Sequence, residues 1–271
     1  MGLNRSNIDQ LKKGDIALVG FPFDAHSSFM TGPAKAPELI IDAIECDSAN
    51  YFTESLIDLN EHPRIAWCGN AVLDDYFSIA KTTRQVLQQG AIPFSLGGDH
   101  SITYPILQSI HEHHGKVNIL HFDAHTDLYD ELDHNKFSHA CPFARIMEEG
   151  LAKSLTQIGI RTLTQHTKEQ AERFGVKMIQ MKDWVPQTKL EIDGPVYISF
   201  DLDVLDQAFA PGLSHHEPGG FSTREVLDII QRLKLDIIGL DLVEYNPDRD
   251  VNGMTAMVAA KITKELIDRI L

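Results

Sequence analysis

The stretch that most constrains the fold is VNILHFDAHTD, residues 117–127, in which an apolar run leads directly into alternating carboxylates and an imidazole. The run VNILHF is typical of a buried strand, and Asp123, His125 and Asp127 follow it at every second position. Neighbouring carboxylates repel one another, and burying even one ionised carboxylate is costly unless it is paired or bound to a metal. The stretch therefore predicts a buried strand whose end contributes ligands to a divalent cation.

Short apolar runs alternate with helical patterns along the whole 271-residue chain. The patterns predict strands at 16–20, 65–68, 92–96, 117–122, 155–160, 176–179, 196–200 and 237–242, and helices at 38–44, 78–89, 103–112, 168–174, 226–233 and 255–270. Strands that are apolar throughout and alternate with helices indicate a parallel sheet covered by helices on both faces. Because we find no linker, internal repeat or low-complexity segment, we predict that residues 1–271 form a single α/β domain.

The composition narrows the class of protein. The formal net charge of -15 argues against nucleic acid as a partner, because a phosphate backbone needs a basic face. No apolar run approaches the roughly 18 residues of a membrane span. Cys46, Cys68 and Cys141 form no close pair, which is typical of free thiols in a reducing compartment. Since the N-terminus also lacks the apolar segment of a secretory signal, we predict a cytoplasmic protein without a membrane or nucleic-acid partner.

Polar side chains follow four of the predicted strands at the point where each strand ends. They are His100, then Asp123 with His125 and Asp127, then Asp201 with Asp203, and finally Glu244. Any one of them alone is typical of a turn former or a helix cap. In open parallel sheets, however, ligands bind outside the carboxyl ends of the strands. Four strands that end in such groups therefore predict one shared site.

The types of ligand indicate the metal. Four aspartates and two histidines without a cysteine suit manganese better than zinc or copper. Six ligands exceed the need of one ion, since a carboxylate can bridge two, and four negative charges with a hydroxide nearly balance two divalent cations. We therefore predict a two-metal site, whose usual task is to generate hydroxide at neutral pH. The alternative is a single zinc or iron ion, with some of the aspartates outside its coordination shell.

Five sequence blocks carry a family resemblance: GGDHS at 97–101, DAHTD at 123–127, SHA at 138–140, SFDLDVLD at 199–206 and VEYNP at 243–247. Together they resemble the ureohydrolases, the arginase and agmatinase family. Segments such as SSFMTGPAKAP and FAPGLSHHEPGG make the chain most similar to plant-type arginases and their agmatinase-like bacterial relatives. The resemblance implies a three-layer αβα fold with an eight-stranded parallel sheet, two Mn²⁺ per subunit, and assembly into a homo-oligomer, a trimer or a hexamer.

The resemblance also implies a role for each matching residue. The six metal ligands form three pairs: His100 with Asp127 on one ion, His125 with Asp203 on the other, and Asp123 with Asp201 bridging both, with a hydroxide between the ions as nucleophile. Asp127 also helps to move a proton to the leaving amine. His139 matches a histidine that shuttles protons to and from solvent. Glu244 matches the carboxylate that pairs with a small cationic guanidino substrate.

The implied reaction is hydrolysis of agmatine or L-arginine to urea and an amine, putrescine or ornithine. The alternatives are another guanidino or formimino substrate (guanidinobutyrate or formiminoglutamate), a catalytically silent metal-binding homologue, and a deacetylase-like hydrolase with one zinc ion. Tyr129 stands where animal arginases have an asparagine that helps to hold the α-carboxylate, and Asp130, Glu131 and Asp133 follow it. If this acidic loop rims the pocket it favours agmatine; if it is a solvated surface it does not.

Overall fold

A computed structural model describes residues 2–271 of the chain, and its centre is one sheet of nine parallel strands. The strands are β1 (Asn4–Arg5), β2 (Ile16–Phe21), β3 (Ile65–Asn70), β4 (Ile92–Gly97), β5 (Val117–Phe122), β6 (Ala152–Ile160), β7 (Lys177–Gln180), β8 (Pro195–Asp201) and β9 (Asp236–Val243). The helices are α1 (Ala36–Glu45), α2 (Ser78–Gln88), α3 (Thr103–His114), α4 (Pro142–Glu148), α5 (Gln165–Phe174), α6 (Thr223–Arg232) and α7 (Met254–Ile270).

Each of the eight predicted strands is present, and the sheet has one strand more than we expected. The additional strand, β1, has two residues and pairs with Ala66 and Trp67 of β3 at the edge of the sheet. An edge strand of two polar residues has no hydrophobic pattern, so the sequence gives no signal for it. None of the helices within residues 2–271 is long and apolar enough to cross a membrane.

The two faces of the sheet carry separate helical layers. Along β2, Ile16 and Leu18 belong to the core shared with α1, α6 and α7. Ala17, Val19 and Phe21 belong to the core shared with α2, α3, α4 and α5. This alternation is the one expected of a strand that is buried on both faces. The predicted three-layer αβα arrangement is therefore confirmed.

Three helices differ clearly from the prediction, and one of them is α6, which begins at Thr223 and not at the predicted position 226. Helix α4 was not predicted, because its seven residues span only two turns and give a weak periodic signal. Helix α5 begins at Gln165, three residues before the predicted start at 168. The Thr164 hydroxyl accepts a hydrogen bond from the N–H of Thr167 and caps the new first turn. The sequence signal for a helix start is weak here, because threonine stands at both Thr164 and Thr167, whereas the usual capping box has glutamate or glutamine at the second of these positions.

The order of the strands positions the site. The sheet runs β1-β3-β2-β4-β9-β8-β5-β6-β7, so the four strands that carry polar ends, β4, β9, β8 and β5, are neighbours at its centre. Their ends are level, since Leu96 lies opposite Leu242 and Phe122 lies opposite Phe200. Gly98 is required where the chain leaves β4, because a Cβ there would lie 1.9 Å from the carbonyl oxygen of Phe23.

Candidate metal centre

All six predicted metal ligands meet at the carboxyl edge of these four central strands. The group consists of His100, Asp123, His125, Asp127, Asp201 and Asp203. The four aspartates are at most 9% exposed. Burial of four carboxylates in one place is unfavourable without a compensating positive charge.

The His100 ring faces three of these carboxylates. Its Nδ1 lies 3.2 Å from Asp123 Oδ2, 3.0 Å from Asp127 Oδ2 and 3.1 Å from Asp201 Oδ2. This buried nitrogen has no hydrogen bond of acceptable geometry to any residue in 2–271. A nitrogen lone pair and three carboxylate oxygens that point at one small volume are the ligand set of a cation.

The other nitrogen of the His100 ring fixes the tautomer. Nε2 lies 2.9 Å from Ser199 Oγ, and that hydroxyl donates to Asp241 Oδ1 at 2.7 Å. A serine hydroxyl has one hydrogen, so Nε2 carries the proton that is donated to Ser199. Nδ1 is then left with its lone pair toward the carboxylates. A hydrogen-bonded partner behind the ring is the usual arrangement around a histidine that binds a metal.

A second group forms around His125. Its Nδ1 lies 2.8 Å from Asp203 Oδ2 and 3.4 Å from Asp123 Oδ1, while Asp203 Oδ1 accepts a hydrogen bond from the N–H of Ala124. Asp123 therefore presents one oxygen to His100 and the other to His125. This is the position of a carboxylate that lies between two cations, and the residues fit a binuclear centre.

The pKa shifts show the same need for positive charge. Burial raises the pKa of Asp201 well above its usual range, and the neighbouring carboxylates of Asp203 and Asp123 add to the effect. Burial alone would lower the pKa of His100, but the neighbouring carboxylates of Asp123, Asp127 and Asp201 raise it well above normal. The arrangement stabilises a positive charge at this point, and divalent cations supply more of it than protons do.

Glu244 and His139 form an ion pair beside the centre. His139 Nδ1 lies 2.8 Å from Glu244 Oε1, which also accepts a hydrogen bond from the His100 N–H at 2.8 Å. Burial lowers the pKa of His139, but Glu244 outweighs it and raises that pKa to about 9. Burial alone would raise the pKa of Glu244, but His139 outweighs this effect and holds that pKa below its usual range. Both groups are therefore charged near neutrality.

The backbone is strained at two of the predicted site residues. Asp127 has φ = 48° and Glu244 has φ = 67°, in the left-handed region that residues other than glycine seldom occupy. Such conformations cost on the order of 1–3 kcal/mol each and are concentrated at functional sites. The surrounding hydrogen bonds hold them, since the Glu244 N–H donates to the carbonyl of Gly98.

A cavity of about 180 Å³ opens onto the centre, which suits a small molecule. Its wall contains Asp127, Asp201, Asp203, His139 and Glu244 together with Ser28, His125, Thr126, Tyr129, Leu132, Ala140, Thr162, Thr164, Thr167 and His215. None of the carboxylates of Asp130, Glu131 and Asp133 belongs to the wall. Asp130 lies 2.9 Å from His166 and is more than half exposed. The carboxylates of this acidic loop thus lie on a solvated surface and do not rim the pocket, which was the second alternative for the loop in the sequence analysis.

Sequence reasoning missed His121. Its Nε2 lies 2.7 Å from Asp123 Oδ2, its Nδ1 lies 3.0 Å from Gln157 Nε2, and the residue is 0% exposed. His121 lies two positions before Asp123, so it shares a strand face with that ligand. A histidine inside an otherwise apolar strand, in register with the polar end, was the signal that could have found it.

A family model described as the arginase family matches residues 14–268. This chain belongs to the arginase family. It is 46% identical to "Arginase 1, mitochondrial" of Arabidopsis thaliana, over 95% of this chain and 82% of that protein. It is 35% identical to "Guanidino acid hydrolase, mitochondrial" of Homo sapiens, over 93% of this chain and 77% of that protein. The structure of arginase from Medicago truncatula superimposes with a TM-score of 0.88 at 41% identity, over 94% and 87% of the two chains. This arginase-family protein is accordingly a hydrolase of the ureohydrolase type.

The prediction of a cytoplasmic location is wrong by the same comparison. The plant and human relatives carry the word mitochondrial in their names, which points to an organelle. The prediction rested on unpaired cysteines and on the lack of a secretory segment. Unpaired cysteines are typical of any reducing compartment, so they do not separate the cytoplasm from an organelle.

Proposed function

We propose that this arginase-family hydrolase is a binuclear manganese enzyme that converts L-arginine to urea and ornithine, with agmatine as the competing substrate. The observation that carries the proposal is the convergence of six imidazole and carboxylate ligands with the Glu244–His139 pair on one small cavity. The similarity to the Arabidopsis arginase supports arginine as the substrate.

In this proposal the chain holds two metal ions through the six residues assigned above. His100 and Asp127 would hold one ion and His125 and Asp203 the other, and Asp123 and Asp201 would be shared by both. Four carboxylates with two imidazoles favour manganese over a thiophilic metal. When bound, the ions supply hydroxide at neutral pH, because divalent cations lower the pKa of a coordinated water.

The remaining residues bind the substrate and move protons. The Glu244 carboxylate accepts hydrogen bonds from the guanidinium, whose planar donor fork matches a carboxylate. Asp127 lines the cavity and delivers a proton to the nitrogen that leaves the guanidinium carbon. His139 exchanges protons with solvent, and its contact with Glu244 keeps the imidazole oriented toward the cavity.

The wall of the cavity supports arginine over agmatine. Tyr129, Thr162 and Thr164 line it, and each has a hydroxyl group that can donate a hydrogen bond to an α-carboxylate. Because the carboxylates of Asp130, Glu131 and Asp133 lie outside the wall, this loop gives no electrostatic reason for excluding a substrate carboxylate. We also propose that residues 1–271 are one ureohydrolase domain and that the subunits form a trimer or a hexamer.

A substrate panel tests the proposal. With manganese loaded, we expect urea release from L-arginine to exceed that from agmatine, guanidinobutyrate and formiminoglutamate by about 100-fold or more in kcat/KM, since unpaired polar groups reject a substrate that lacks their partner. Urea is measured in steady state, and the metal content of each preparation is counted. Faster turnover of agmatine would transfer the assignment to that substrate, and no urea from any compound would refute a ureohydrolase. A single zinc ion per chain would favour the deacetylase-like alternative.

A further inference from the structure

The two ring nitrogens of His139 have different partners. The residue is 7% exposed, with Nδ1 at 2.8 Å from Glu244 Oε1 and Nε2 at 2.8 Å from Ser28 Oγ. An ionised carboxylate only accepts hydrogen bonds, so Nδ1 carries the hydrogen that faces Glu244. Nε2 is therefore the nitrogen that gains and loses a proton. Its hydrogen-bond partner is the Ser28 hydroxyl.

Ser28 connects this buried nitrogen with the outside. The residue is exposed to solvent, and it also lines the cavity beside His139. A hydroxyl can accept one proton while it donates another, which neither an amide nor a methyl group can do. We propose that Ser28 is the positioning residue through which His139 exchanges protons with solvent during turnover. The inference rests on the proposed function, which gives His139 a proton to exchange.

The exchange conserves protons. In the outward direction the Nε2–H bond of the imidazolium breaks and a new Oγ–H bond forms, while the original hydroxyl proton of Ser28 passes to water. The imidazole is left neutral, and one proton has entered the solvent. In the inward direction water donates to Oγ and the hydroxyl proton passes to Nε2. No other reactant is required.

The loop that carries Ser28 is held in place around His139. The N–H of His139 donates to the carbonyl of His26 at 3.0 Å, and the N–H of His26 donates to Asp99 Oδ2 at 3.0 Å. These bonds join the loop to the end of β4 and to the His139 segment at once. The short contact between Oγ and Nε2 is therefore fixed by the backbone and does not depend on the serine rotamer alone.

Threonine and valine at position 28 form the matched pair that tests the inference. Ser28→Thr keeps the hydroxyl and adds a methyl group, whereas Ser28→Val has the shape of threonine without the hydroxyl. Alanine is a poorer choice, because it leaves room for a water molecule that could carry the proton. Ser27→Ala is the neighbouring control, since the Ser27 hydroxyl donates to Asp99 Oδ2 at 3.3 Å and forms no hydrogen bond with His139 among the described residues.

We expect kcat of Ser28→Val to be about tenfold or more below that of Ser28→Thr. This loss is smaller than the rate acceleration that a general acid–base group itself contributes, because Ser28 acts through His139. KM and metal content should stay within about twofold, and added imidazole should restore kcat by taking over the proton transfer. Equal kcat in the two variants would overturn the inference, as would a loss confined to KM that imidazole does not repair. Failure of the proposed function is distinguishable, because the unmodified enzyme would then release no urea.

Discussion

Replacement of Asp123 by asparagine is expected to abolish both metal binding and turnover. Asp123 faces His100 with one oxygen and His125 with the other, at 3.2 Å and 3.4 Å. An amide of the same shape removes a negative charge and replaces one oxygen ligand by an NH₂ group that cannot bind a cation. We expect kcat to fall by about 1,000-fold or more, since removal of the hydroxide source removes most of the catalysis. Metal content by mass spectrometry of the protein and urea release are the measurements.

The control for this prediction is Asp42→Asn, which makes the same chemical change on the exposed face of α1. We expect that variant to keep its metal and its kcat. Asp123→Asn should also keep its fold, because the two side chains have the same shape and the change relieves repulsion among carboxylates. A variant that retains two metal ions per chain would contradict the bridging role.

Replacement of Glu244 by glutamine is expected to spare the metal and remove substrate binding. Glu244 is the buried anion nearest to His139, and no metal-ligand role is proposed for it. Glutamine cannot neutralise a guanidinium, and its NH₂ group would face a donor. Loss of a buried charge-assisted pair costs about 3–5 kcal/mol, so we expect kcat/KM to fall by about 100- to 4,000-fold. Steady-state urea kinetics measure the change.

Glu131→Gln is the matched control, because Glu131 lies on the exposed loop outside the cavity wall. We expect its kcat/KM to stay within about twofold of the unmodified enzyme, as for most surface substitutions. Loss of metal from Glu244→Gln, or normal kinetics in it, would contradict the assignment of this residue to the substrate.

The sequence predicted the layers of the fold because burial on both faces makes the strands apolar throughout. It also predicted which residues stand at strand ends, since a run such as VNILHF stops at a definite position. The order of the strands could not be predicted, because long-range pairing is not encoded in local periodicity. Only the structure shows that β4, β9, β8 and β5 are neighbours, which turns four separate strand ends into one site.

The supporting contacts were also out of reach of local patterns. Ser28 and His139 are 111 residues apart, and only the folded loops bring Oγ to Nε2. The Ser199–Asp241 bond behind His100 depends on the pairing of β8 with β9. His121 is the exception, because its place two positions before Asp123 in an apolar strand was already visible in the sequence.

The location of the metal ions decides whether the six ligands form a binuclear centre. Crystals grown with manganese would be measured at the manganese absorption edge, where anomalous difference density marks each ion. We expect two peaks about 3.5–4 Å apart, the spacing of two-metal sites, with Asp123 between them and His100 and His125 on opposite sides. A single peak, or peaks away from these residues, would contradict it.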